Sequence, residues 1–282
     1  MQGLTQPVAM QTTSELPIVH GPHWPGVRIL CTTRAGGVSA DPYTSLNLAL
    51  HVGDAVDSVV ANRQRLRPLL PSDPLWLNQV HGIEVFDADG VPGQQRAPIG
   101  RQHAEPGMQA PTADAVITTT PGRVLALLTA DCVPIVIASS CGRALGLAHA
   151  GWRGLAGGIV EATLQRLQRA VQGSATWRAW IGPCIGPQVY EVGEDVYRAF
   201  AVPPAPEALV PRPGAPGKWL CNLPLLARAR LQAAGVEQVE TSGWCTVSDS
   251  RFYSYRRDGV TGRFATLAWL EPSTRAANTA RG

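Results

Sequence analysis

The chain has 282 residues, 45% of them hydrophobic, with 24 Lys+Arg against 21 Asp+Glu and a formal net charge of +3. That apolar content fills a core of enzyme size, and arginines scattered singly form no basic stripe of the kind that binds nucleic acid or a membrane surface. The first residues, MQGLTQPVAMQTTSELP, lack the basic start and apolar segment of a secretory leader, and no apolar run approaches the roughly 18 to 20 residues of a membrane helix, so the chain reads as cytoplasmic.

In chain order, apolar and β-branched runs bounded by turn formers predict strands at 28–33, 75–79, 84–87, 115–119, 124–129, 134–139, 144–150, 179–181, 239–242 and 265–270. Apolar residues at helical spacing predict helices at 58–69, 156–171, 193–200 and 223–234, the second carrying Ile159, Val160, Leu164, Leu167 and Val171 on one face. Hairpin-like connections mix with helices without strict βαβ order, which points to an α+β fold and not a doubly wound sheet. Segments 89–112 and 201–218, rich in Pro, Gly and Gln or Ala, read as loops inserted in a single domain with a core from about 27 to 270 and flexible termini. Six cysteines, Cys31, Cys132, Cys141, Cys184, Cys221 and Cys245, include no C-x-x-C pair and read as free thiols, one of them a candidate ligand.

The stretch LLTADCVPIVIASSCGRALGLAHAGWRGLAGG, 127–158, concentrates reactive residues. If PIVIAS and ALGLAHA pair through the turn SCGR, Pro134 faces His149. Cys132 then becomes a diagonal neighbour of His149 on the same face, with Cα atoms roughly 7 to 8 Å apart. Thiol and imidazole meet there, or share a metal; the plainer alternative is an inert core cysteine and a structural histidine. The AGWRGLAGG run, with Gly151, Gly154, Gly157 and Gly158, permits close backbone approach to a ligand and opens a helix whose free N–H groups suit an anion, unless it is an ordinary strand-to-helix turn. Upstream, His81 in WLNQVHGIEV offers a second imidazole. Two imidazoles and one thiolate make a tetrahedral zinc site with its fourth position open, the pattern of a catalytic zinc.

The motifs TTRAGGVSADPYTSLNLALHVGD (32–54), LNQVHG (77–82), ADAVITTTPG (113–122), LTADCVPIVIA (128–138), AHAGWRG (148–154), IGPCIGPQVYEVG (181–193) and GWCTVSDSRFYSYRRDG (243–259) together resemble the YfiH-type family. That family, long labelled laccase-like, is regarded as purine nucleoside phosphorylases with adenosine deaminase activity. The resemblance implies a layered α/β/β/α sandwich shared with cysteine-hydrolase-like toxins. It also implies a metal, zinc with copper as the other candidate, held by His81, Cys132 and His149, the same residues that would be catalytic. Arg34 offers a planar fork for phosphate or a purine edge, or is a surface arginine. Asn47 offers hydrogen bonds to ribose or base, or forms a turn. Arg153 reinforces an anion site, or is a solvated turn residue. His51 reads as structural, Cys184 as a buried small residue, and Asp131 as a structural neighbour pointing away from Cys132.

Six histidines with no His-x-His pair argue against a multicopper oxidase, and the combined H-x-E and P-C-x-x-C signature of zinc deaminases is absent. The expected reaction is phosphorolysis of adenosine, inosine or methylthioadenosine to base and ribose 1-phosphate, with deamination of adenosine at the zinc, by a monomer or weak homodimer. Two alternatives stand beside it: a Cys132/His149 amide hydrolase that edits cell-wall peptide precursors, and a non-enzymatic zinc-binding protein.

Overall fold

The structure, a computed structural model, describes residues 16–90, 110–171, 173–200 and 206–272. The chain begins with β1 (Ile18–His20), β2 (Val27–Thr32), α1 (Val56–Arg65), β3 (Val85–Asp87), β4 (Ala115–Thr118) and β5 (Leu125–Thr129). It continues through β6 (Val133–Ser139), β7 (Leu145–Ala150), α2 (Trp152–Gly157), α3 (Ile159–Ala170), β8 (Trp177–Ile181), β9 (Glu191–Val192) and α4 (Glu194–Phe200). The last elements are β10 (Leu209–Pro211), β11 (Trp219–Cys221), α5 (Leu223–Ala233), β12 (Gln238–Thr241), α6 (Tyr255–Asp258) and β13 (Phe264–Leu270).

The predicted hairpin lies inside a mixed six-stranded sheet of order β12-β8-β6-β7-β4-β3. Every residue of β6 and β7 is buried, because both faces are covered. Val133, Ile135 and Ile137 pack with Ile159, Leu164 and Leu167 of α3, while the alternate Val136 and Ala138, with Leu145 and Leu147, turn to a second sheet. That sheet, antiparallel and ordered β1-β2-β13-β5, contributes Ile29, Leu125, Leu127, Phe264 and Ala268 to the space between. Its far face packs Leu30, Ala126 and Leu267 against Leu46, Leu48, Leu66 and Trp76, beside α1. The result is the expected α/β/β/α layering of an α+β fold.

Small residues set the spacing of the first two layers. A Cβ on Gly146 of β7 would lie 3.0 Å from Leu167 Cδ1 and 3.2 Å from Thr163 Cγ2, so the bare position lets α3 settle onto the sheet. Buried in this way, each Leu or Ile of α3 stabilises the fold by about 1.5–3 kcal/mol.

Several local expectations are corrected. The segment 75–79 is no strand: Gln79 donates Nε2 to the Leu128 carbonyl at 3.0 Å and accepts the Leu128 N–H at 2.8 Å, so a side chain replaces the ladder there. The helix expected at 58–69 stops at Arg65, and Pro68 lies in a single 3₁₀ turn beyond it. The helix expected at 156–171 is two helices, divided at Gly158 with φ = 101°. Part of the expected loop 201–218 is structured, since β10 pairs with β11 and β11 with β9 in a small antiparallel sheet. Residues 91–109 and 201–205 of the two expected loops, and both chain ends, lie outside the described residues. Among the described residues no helix is long and apolar enough to cross a membrane.

Candidate functional site

The hairpin register pairs Pro134 with His149, and Cys132 enters β6 on the same interlayer side. The third element is the turn at 80–82. His81 adopts φ = 63° there, a left-handed conformation that costs a residue bearing a side chain about 1–3 kcal/mol. Asp114, fully buried, holds it in place. Its Oδ1 accepts the His81 N–H at 2.9 Å, and its Oδ2 accepts those of Gly82 at 2.6 Å and Val80 at 3.2 Å. The same carboxylate meets His149 Nδ1 at 2.8 Å, which leaves Nε2 of that ring free to act as a ligand.

Cys132 Sγ lies 3.7 Å from His81 Nε2, and the two imidazole rings meet edge to face with centroids 4.7 Å apart. One donor atom from each of His81, Cys132 and His149 falls within 4.8 Å of the others. Two imidazoles and a thiolate at this separation suit a borderline-soft divalent ion, and Asp114 behind His149 is the outer anchor such a ligand requires. Burial opposes ionisation of Cys132, but the charge of His149 and hydrogen bonds from both histidines draw its thiol below the ordinary range. Burial likewise opposes the imidazolium of His149, yet the Cys132 thiolate and Asp114 hold it above the ordinary value. Asp114 is raised by burial and lowered more strongly by His149 and the N–H groups of Gly82 and His81.

Asp114 is the member of this group that sequence reasoning misses. Its signal in ADAVITT is a carboxylate opening an otherwise apolar strand, a position that requires partners. The glycine run also acquires a different meaning. A Cβ on Gly151 would stand 2.8 Å from His81 Cδ2 and 3.2 Å from Cys132 Sγ, and one on Gly154 would stand 2.9 Å from the Gly82 carbonyl oxygen. These glycines seat the short α2 directly against the His81 turn, which fits the strand-to-helix turn of the two sequence alternatives and gives the close approach to a side chain of the protein itself.

A cleft of about 280 Å³ opens over the three residues, lined also by His51, Thr129, Tyr255 and Arg263. His51, expected to be structural, therefore faces the cleft. Burial, followed by the charges of Arg263 and Arg63, keeps its imidazole below the ordinary value. Arg34 donates Nε to the Thr44 carbonyl at 3.0 Å, lies 3.8 Å from Asp258 and packs over the Tyr253 ring at 5.0 Å. Asn47 is fully buried, its Nδ2 donating to Asp54 and to the Ala49 carbonyl while Oδ1 accepts the N–H groups of Ala49 and Arg263. Arg153 is exposed and packs over the neighbouring Trp152 ring at 4.3 Å. None of these three lines the cleft, although Asn47 positions the backbone of Arg263, which does.

Asp131, with φ = 98°, accepts the Thr246 hydroxyl at 2.6 Å and the Arg256 N–H at 2.7 Å, and its carbonyl accepts the Ile185 N–H at 2.9 Å. It ties two distant loops to the residue beside Cys132. Cys184 is buried, and burial raises its thiol well above the ordinary range.

Residues 28–271 match a family described as multi-copper polyphenol oxidoreductase laccase. A Xylella fastidiosa protein named purine nucleoside phosphorylase is 46% identical over 255 residues, covering 87% of this chain and 93% of that protein. Escherichia coli purine nucleoside phosphorylase YfiH is 41% identical over 256 residues, covering 88% and 97%. Among solved structures, a Neisseria meningitidis protein superposes with a TM-score of 0.77 at 37% identity over 90% of this chain and 99% of its own. Bacillus licheniformis YfiH gives 0.80 at 30% identity over 92% and 98%.

Proposed function

Because the chain belongs to the YfiH-type family, the one described as multi-copper polyphenol oxidoreductase laccase, we propose that it is a cytoplasmic purine nucleoside phosphorylase that also deaminates adenosine. The observation that carries this reading is the convergence of His81, Cys132 and His149, oriented by Asp114, at the floor of an open cleft. Relatives named purine nucleoside phosphorylase across several bacteria support the phosphorolytic part.

His81, Cys132 and His149 would hold one zinc or, failing that, copper, which when bound supplies a Lewis acid at the cleft floor. Six histidines without a His-x-His pair favour one ion over a multicopper cluster. The protein's own groups do the positioning. Asp114 fixes the His149 ring and holds the strained His81 turn, so that neither imidazole needs to reorganise when substrate enters. The ring of Tyr255 gives the cleft a wall suited to a nucleoside.

A second reading has its own observation. The order Cys132, His149, Asp114, with the carboxylate on Nδ1, is also the arrangement of a thiol hydrolase, as amide-bond editing of cell-wall peptide precursors would need. Incubation with adenosine, with and without phosphate, tests both. Adenine and ribose 1-phosphate formed only with phosphate, and inosine formed without it, are the expected products; neither product, from metal-free protein whose Cys132 is rapidly alkylated, would overturn the first reading in favour of the second.

A further inference from the structure

The cleft pairs two different sheets. Its floor comes from the ends of β6 and β7, and its other wall from the ends of β5 and β13, where the antiparallel register sets Thr129 against Phe264 and so brings Thr129 beside Arg263. Thr129 is 1% exposed, yet its Oγ1 has no hydrogen-bond partner among the described residues. It shares the interlayer side of β5 with Leu125 and Leu127 and ends that row at the cleft. A buried hydroxyl left without a partner is uncommon, because burial costs it the bonds it made to water.

Arg263 is the arginine of the cleft. Its Nη1 is engaged by the carbonyls of Thr261 and Gly262, and among the described residues its Nε and Nη2 make no hydrogen bond and no carboxylate pairs with it. Its backbone is fixed, since Asn47 Oδ1 accepts its N–H at 2.9 Å and its own carbonyl accepts the Leu48 N–H at 3.2 Å. His51 adds an imidazole to the same wall, and no carboxylate belongs to the lining. A half-free guanidinium, an orphaned hydroxyl and an imidazole, without a competing acid, match the acceptor oxygens of a small tetrahedral oxyanion.

We infer that Arg263 and Thr129, assisted by His51, form an inorganic phosphate subsite in the cleft, facing His81, Cys132 and His149. The inference rests on the phosphorolytic reading for its purpose, though not for its geometry. It moves anion recognition from Arg34 and Arg153, which are stacked on other rings, to residues that line the cavity.

The test uses the metal-loaded protein and inorganic phosphate, with binding followed by calorimetry and turnover by phosphate titration at fixed adenosine. Arg263→Gln should raise the KM for phosphate about tenfold or more while the KM for adenosine changes by less than about twofold. Thr129→Val should shift the phosphate KM in the same direction by a smaller factor, and Thr129→Ser should restore it. Melting without phosphate identifies a variant that fails to fold; should Arg263→Gln do so, Arg263→Lys and the Thr129 pair decide. Wild-type protein that binds no phosphate, or folded variants with unchanged phosphate affinity, would overturn the subsite. Phosphorolysis with a normal phosphate KM in the variants removes the subsite and leaves the functional reading. Phosphate binding lost in Arg263→Gln, with no ribose 1-phosphate from any nucleoside, leaves the subsite and removes that reading.

Discussion

Asp114 links two of the three candidate ligands, because one carboxylate accepts the N–H groups that shape the His81 turn and also meets the His149 ring. Asp114→Asn keeps the volume but replaces one acceptor oxygen with a donor, so at least one of these bonds must break. Loss of an outer anchor of this kind lowers metal affinity by about 10- to 100-fold, and competition against a chromophoric chelator should show a decrease in that range. Undiminished affinity would mean that the turn is held by other contacts. Away from the site, Cys141 lies in the β6–β7 turn, where slight burial raises its thiol but Arg143 Nε, donating at 3.1 Å, and Ser139 draw it down to about 7 from 9.0. The thiolate is the nucleophile, so labelling by iodoacetamide should rise through about pH 7, and Arg143→Gln should move that rise toward the ordinary thiol value. Cys31 and Cys221, buried and raised to about 12, should stay unlabelled in the folded chain; a labelling profile for Cys141 unchanged by Arg143→Gln would remove the arginine as its cause.

At the scale of elements, α2 packs against the His81 turn and is therefore where a small change should matter. Gly151→Ala puts a methyl within 2.8 Å of the His81 ring and 3.2 Å of Cys132 Sγ, and the ring has to move because Gly151 is anchored directly after β7. The expected outcome is at least about tenfold lower activity and reduced metal content with unchanged far-ultraviolet circular dichroism, since a displaced ligand alters geometry before it alters the fold. Full metal content and activity would show that α2 yields instead. This element also marks the limit of sequence reading. The diagonal approach of Cys132 to His149 is legible because period-two alternation and a central turn determine the pairing of Pro134 with His149. The approach of His81 is not, since it depends on a left-handed backbone held by a carboxylate on another strand. Glycines that read as close-approach positions for a ligand instead take the packing of the His81 turn at the start of α2, and Gln79 imitates a strand by bonding both backbone groups of Leu128. Arg263 and Thr129 escape notice for a third reason: only the β5–β13 register brings residues so distant in sequence together.

Across the whole molecule, Cys132 and His149 lie at one sheet and Thr129 and Arg263 at the other, and no strand is shared between the two. What separates them is the interlayer packing of Val136 and Leu147 from one sheet against Leu125, Leu127 and Phe264 from the other. Such interiors are packed as densely as organic crystals, so side-chain volume there converts directly into distance between the layers. The two sheets act as the jaws of a calliper, with the hydrophobic filling as its spacer. A methyl group added or removed well behind the cleft would open or close the gap that the proposed nucleoside and anion would bridge, which gives natural variation a way to retune substrate size without altering any residue lining the cleft.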